Sequence, residues 1–133
     1  MRRMLLVVFP VAVALLAGCG EDSELTSLKG TWVGQGSGYN DGTFEERTAR
    51  LVITETREDG NVFVGYKQTK ADGEPYGPRE TIQGGIGPDN TISIADEDGI
   101  DFFEFSEGNL VGQYIEANKN DSTVKNYTLL PVR

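Results

Sequence analysis

From Leu28 onward, apolar and polar residues alternate in short runs, and Gly, Asn and Asp interrupt those runs at close intervals. Val62, Val64 and Tyr66 fall on one face of a pleated strand, as do Ile92 with Ile94 and Leu110 with Gly112 and Tyr114. A period of two is that of a sheet with one wet face. No stretch offers an apolar stripe at helical spacing with capping residues at its ends. Turn signals recur at Asp41-Gly42, Asp59-Gly60-Asn61, Asp72-Gly73, Pro88-Asp89-Asn90, Asp98-Gly99, Glu107-Gly108-Asn109 and Asn120-Asp121. Gly and Asn tolerate positive φ, and Asp-Gly closes tight hairpins. The segments between them predict strands near 29–38, 43–56, 62–70, 78–86, 91–96, 100–106, 109–118 and 124–132. Short connections imply antiparallel neighbours, so the simplest topology is an all-β, eight-stranded up-and-down barrel. Closure removes the open edges a flat sheet would leave. A barrel of this size is filled by its own side chains or holds one small ligand.

The pattern before Leu28 is different. Met1-Arg2-Arg3-Met4 is basic, Leu5 to Leu16 is an apolar run broken by Pro10, and Leu16-Ala17-Gly18-Cys19 follows. The basic, apolar, small-residue order is that of a secretory signal. The run is shorter than the roughly 20 residues a bilayer span requires. Leu16-Ala17-Gly18-Cys19 resembles the lipobox of bacterial lipoproteins at all four positions: an aliphatic residue, a small residue, Gly or Ala, then Cys. The resemblance implies that Cys19 receives a diacylglycerol on its sulfur and that a signal peptidase cuts between Gly18 and Cys19. The thiolate is the side-chain nucleophile suited to that transfer. Two or three acyl chains, at about 0.8 kcal/mol per buried methylene, anchor firmly where one would be marginal. The alternatives are an ordinary signal peptide with a chance cysteine, or an uncleaved anchor.

Three segments follow: a signal peptide over 1–18, a lipidated tether over 19–27 and a β-barrel domain over 28–133. The tether, from Gly20 to Ser27, is polar and acidic. In Gram-negative lipoproteins an Asp directly after the lipidated Cys signals retention in the inner membrane. Gly20 in that place implies a cell-envelope protein on the outer membrane, facing the periplasm.

Charge narrows the partners. The chain has 21 acidic and 12 basic residues and a net charge of −9, and loss of Arg2 and Arg3 with the signal takes this to −11. Such a surface repels nucleic-acid phosphates and anionic headgroups, so membrane contact must come through the lipid on Cys19. Acidity of this kind mostly serves solubility. The outer wall of the barrel is expected to carry Glu45, Arg47, Lys67 and Glu104, unlike the apolar band of a transmembrane barrel. The single cysteine leaves no partner for an intrachain disulfide.

The chain contains no His. General acid–base catalysis and nucleophile activation lose their commonest agent, and zinc its usual ligands. Gly34 to Gly38 lacks the Lys-Ser/Thr of a phosphate-binding loop. Asp96-Glu97-Asp98-Gly99-Ile100-Asp101 holds four carboxylates, but its spacing does not fit an EF-hand and Asp98-Gly99 reads as a hairpin tip. Asn120-Asp121-Ser122 and Asn126-Tyr127-Thr128 match the N-glycosylation pattern by chance in such a protein. The composition therefore predicts no enzyme, no metal and no cofactor. Phe103 and Phe105 share one face of their strand and Phe102 takes the other, so one set is core and the other lines an opening or a partner surface.

Gly30-Thr31-Trp32 opens the first strand, and Gly-x-Trp there resembles the start of calycin barrels: lipocalins, avidins and fatty-acid-binding proteins. That likeness implies a Trp plugging the closed end, with a basic residue of the last strand packed over it, for which Arg133 is the candidate. Gly30 to Tyr39 also resembles the opening of nitrobindin-type haem barrels. The match covers some ten residues, and the departures are larger. Nitrobindins ligate haem through a His that is absent here, and avidins stack biotin between several tryptophans where Trp32 stands alone. The alternative for Trp32 is an open mouth, in contact with a ligand or partner. Two functions compete: a membrane-anchored binding or accessory module with a small apolar ligand, and a structural or protein-interaction lipoprotein whose barrel is filled. A lumen of a few hundred Å³ would favour the first, and a packed one the second.

Overall fold

A computed structural model describes residues 28–133; Gly18, Cys19 and the signal and tether segments lie outside the described residues. The strands are β1 (Gly30–Asn40), β2 (Thr43–Arg57), β3 (Val62–Lys70), β4 (Glu80–Ile86), β5 (Ile92–Ala95), β6 (Ile100–Ser106), β7 (Asn109–Ala117) and β8 (Ser122–Pro131). Each pairs antiparallel with the next, and β1 also pairs antiparallel with β8, so the sheet closes into an up-and-down barrel. No helix occurs among the described residues.

All eight expected strands are present, with ends within two residues of the expectation. The β4 strand starts at Glu80 and not at 78. Pro78 has no N–H to give a ladder, and just before it the Gly77 amide is already spent on β3, donating to the Thr69 carbonyl at 2.9 Å. The two tightest hairpins turn through Asp41-Gly42 and Glu107-Gly108. Asp41 and Glu107 have φ of 46° and 53°, and the flanking pairs are Asn40 with Thr43 and Ser106 with Asn109. Positive φ at both turn residues matches the twist of the flanking strands. The β2 strand carries a bulge between Ile53 and Glu55, which bends it where the barrel curves.

The core follows the alternation. On β8, Thr123, Lys125, Tyr127 and Leu129 are buried while their neighbours are exposed. Leu51, Ile53, Phe63, Ile82, Ile92, Ile94 and Leu110 complete the apolar interior. Gly36 pairs with Tyr127 across the β1–β8 seam, and a methyl group on Gly36 would run into the Tyr127 ring. The absent side chain is what lets the phenol ring into the lumen. Phe103 is buried, Phe105 packs beside it on the inner face, and Phe102 is exposed on the outer wall.

Three of the four charged residues expected outside are inside. Lys67 is buried on the face of Phe63 and Gly65. Glu45 and Arg47 are half-buried on the face of Ala49 and Leu51. Glu104 alone stands exposed on the outer wall. Register decided the outcome: an alternating strand cannot turn a charged residue outward without turning its apolar neighbours with it.

Candidate functional site: the barrel lumen and its mouth

The lumen divides into an apolar end and a polar end. At the apolar end, Trp32 is buried, and its indole Nε1 donates to the Leu28 carbonyl at 2.9 Å. The Phe105 ring meets it edge-on, centroids 6.1 Å apart. Leu28 lies fully buried beneath, and the Val132 amide donates to the Thr31 carbonyl at 2.8 Å, fastening the chain end across the base. Gly30 turns the chain into β1 with φ of 127°, a backbone that L side chains rarely adopt. Arg133 is exposed, beyond the end of β8. Trp32 is thus enclosed by protein on the side a ligand would have to approach.

The polar end is held by ions on the inner wall. The Lys67 ammonium, on β3, donates to Asp96 Oδ2 at 2.6 Å and to Asp101 Oδ2 at 3.0 Å. It also lies 4.1 Å from the centroid of the Tyr114 ring. The Asp96 Oδ1 accepts from the amides of Asp98 and Gly99, at 2.8 and 2.7 Å, so the β5–β6 turn supplies its remaining partners. A second pair sits on the opposite arc: Lys125 on β8 reaches Glu45 Oε2 at 2.8 Å, and Thr123 donates to Asn40 at 3.1 Å. Asp98-Gly99 lies in the β5–β6 turn, and of the four carboxylates around it Asp96 and Asp101 share one lysine.

The electrostatics follow from one cation serving two anions. Burial works to lower the Lys67 pKa, but Asp101 and Asp96 outweigh it and hold the ammonium above its ordinary value. Burial works to raise Asp96, yet the Lys67 hydrogen bond and charge, with the two amides, bring it below the usual range. Asp101 also has Lys67 as its cation, yet burial pushes it up. Burial also raises Glu80 and Tyr114 nearby. The Tyr127 phenol is pushed up to about 12, first by burial. The hydrogen bond from Lys125 holds Glu45 low.

Between these two ends, the space bounded by Ala49, Leu51, Lys67, Asp101, Phe103 and Tyr127 measures about 10 Å³. That is at the lower limit for a single water. Among the described residues, two larger hollows lie on the outer wall. One of about 430 Å³ lies over Val62, Val64 and Gln83, and one of about 490 Å³ lies beside the β5–β6 turn over Ile100, Phe102 and Ile115.

The ion cluster is the feature sequence reasoning missed. Its lysine was legible, because Lys67 stands two and four residues from Gly65 and Phe63 on an alternating strand. Asp101 shares a face with Phe103 and Phe105 by the same alternation, but no local pattern says which of Asp96, Glu97 and Asp98 turns inward. In comparison with known proteins, no family model matches the chain and no curated protein matches it.

Proposed function

We propose that the chain is an envelope lipoprotein, acylated at Cys19, whose barrel is a filled protein-interaction module and not a carrier of a small apolar ligand. The observation that carries this reading is the space among Ala49, Leu51, Lys67, Phe103, Tyr127 and Leu129 in the middle of the lumen, where about 10 Å³ remains free. A fatty acid or porphyrin needs a pocket of roughly 300 Å³ or more. The polar end is unsuited to an apolar guest as well, since entry would strip Lys67, Asp96 and Asp101 of each other. The same pairing supports a domain without catalysis: its most buried ionisable groups hold one another in place. Leu16-Ala17-Gly18-Cys19 supports the anchor, and Gly20 supports the outer membrane, facing the periplasm, in a Gram-negative host.

Native mass spectrometry of the protein released from its membrane tests the reading. The expected spectrum shows acylated polypeptide alone. A small molecule retained in stoichiometric amount, and lost on replacing lumen residues such as Ala49, would overturn it.

A further inference from the structure

We propose that the outer wall at the polar end of the barrel is a docking surface for a protein partner that presents apolar side chains beside lysine or arginine. The inference rests on the interaction-module reading and names the surface and the chemistry of its partner.

The strand register puts exposed apolar side chains in one row. Phe44 on β2 pairs with Tyr39 on β1, Tyr39 with Val124 on β8, Val124 with Ile115 on β7, and Ile115 with Ile100 on β6. These five are between 37% and 60% exposed, and Phe102 extends the row one step down the wall. The Tyr39 and Phe44 rings meet edge-on at 5.7 Å. Four strand spacings make the row about 19 Å long. In the next row of outward residues Glu46, Ser37, Asn126 and Gln113 are polar, and the row turns apolar only at Phe102, the partner of Gln113. Single exposed apolar residues are ordinary, but a contiguous stripe marks a contact surface. The stripe ends in the hollow of about 490 Å³ beside Ile100, Phe102, Ile115 and Ala117. It is also built on a firm base: the Asp41 amide donates to the Ser122 carbonyl at 2.9 Å, and the Ser122 amide returns a bond to Asp41 Oδ1 at 2.8 Å.

Charge selects the occupant. Asp41, Glu97, Asp98 and Asp121 are exposed on the turns above the row and Glu46 is exposed below it, against the lone cation Lys119 in the β7–β8 turn. A second copy would bring the same acids to the same place within a chain of net charge −9. An anionic bilayer is repelled in the same way. A partner with basic residues around an apolar ridge is attracted by the rim and buried by the row. The location agrees: β1 enters at the Trp32 end and reaches Tyr39 roughly 30 Å further on, so the row lies at the pole away from where the chain leaves toward Cys19.

The probe is a phage-displayed library of random 12-residue peptides, selected against the protein as its host processes it, held in phosphatidylcholine nanodiscs with empty discs subtracted. The expected selection enriches peptides that combine Leu, Ile or aromatic residues with Lys or Arg. Synthetic copies should lose about tenfold or more in affinity on Ile115→Asp, the loss expected for one apolar contact. They should weaken about threefold or more on Glu97→Gln with Asp98→Asn, two surface changes that leave the fold alone, and should be unaffected by Glu104→Gln. No enrichment, enrichment without basic residues, or indifference to both sets of variants overturns the proposal. So does a dimer in sedimentation, or binding to phosphatidylglycerol vesicles, that Ile115→Asp abolishes. A ligand found in the lumen defeats the filled-barrel reading separately, because the peptide measurement does not depend on the lumen.

Discussion

Lys67 on β3 and Asp101 on β6 meet across the lumen, Nζ to Oδ2 at 3.0 Å, with both side chains almost completely withdrawn from solvent. The bond ties together strands 34 residues apart in sequence. Lys67→Met would remove the only cation of a buried trio and leave Asp96 and Asp101 facing each other. The expected cost at pH 7 is about 3–5 kcal/mol, as for other buried pairs broken from one side. Acid should reduce the deficit, because protonation removes the repulsion between the two carboxylates. Urea unfolding at pH 7, 5.5 and 4 checks this; a deficit that grows on acidification would contradict it.

The two aspartates should respond in opposite directions. Asp101 has a raised pKa in the fold, so the native state gives up stability as pH rises through that value, and Asp101→Asn removes the dependence. Asp96 has a lowered pKa, so its contribution is present above its unfolded value, near 3.9, and is lost as pH falls through the folded one. At pH 7, Asp96→Asn should cost about 2 kcal/mol and Asp101→Asn about 1 kcal/mol or less. Equal losses from the two variants, or a steeper alkaline decline in Asp101→Asn, would refute this assignment.

Trp32→Ala should destabilise the barrel by about 3–5 kcal/mol, the range for an aromatic core deletion. As the sole Trp it reports on itself. Its emission should be blue-shifted and barely quenched by iodide, and a readily quenched, red-shifted Trp32 would defeat its role as the base of the core.

Gly36→Ala should cost about 1–3 kcal/mol, because Tyr127 must leave its rotamer to admit one methyl group. The effect belongs to the pair. In a Tyr127→Leu background the same substitution should cost markedly less, and a double-mutant cycle in chemical denaturation measures the difference.

Cys19→Ser should abolish incorporation of radiolabelled palmitate and block cleavage at Gly18-Cys19. Labelling and membrane fractionation indistinguishable from the unaltered protein would rule the lipobox reading out.

Much of the fold was legible because turns and alternation agreed at every hairpin. Asp41-Gly42 and Glu107-Gly108 announce their turns by composition, and the strands between them could only run up and down. The polar end was harder. A chemical intuition that charge belongs outside was set against the period of two, and for Glu45, Arg47 and Lys67 the period won. The burial of Trp32 was legible in Gly30-Thr31-Trp32, the opening that resembles calycin barrels. The row from Phe44 to Ile100 was invisible, because it lies along no strand. It exists only once five strands are placed side by side in register.

Joining the first strand to the last also sets the order of events in synthesis. Strand β1 ends at Asn40 and its partner begins at Ser122, so at about 5–20 residues per second the ribosome needs roughly 4–16 s to deliver the missing edge. During that interval β1 is a strand without a neighbour on one side, the condition in which nascent chains stick to one another. The waiting strand carries glycine at 34, 36 and 38, alternate positions on one face. Bare backbone there gives a steric zipper nothing to interdigitate. The gap that later admits Tyr127 therefore also serves, until β8 arrives, as the chain's protection against its own siblings.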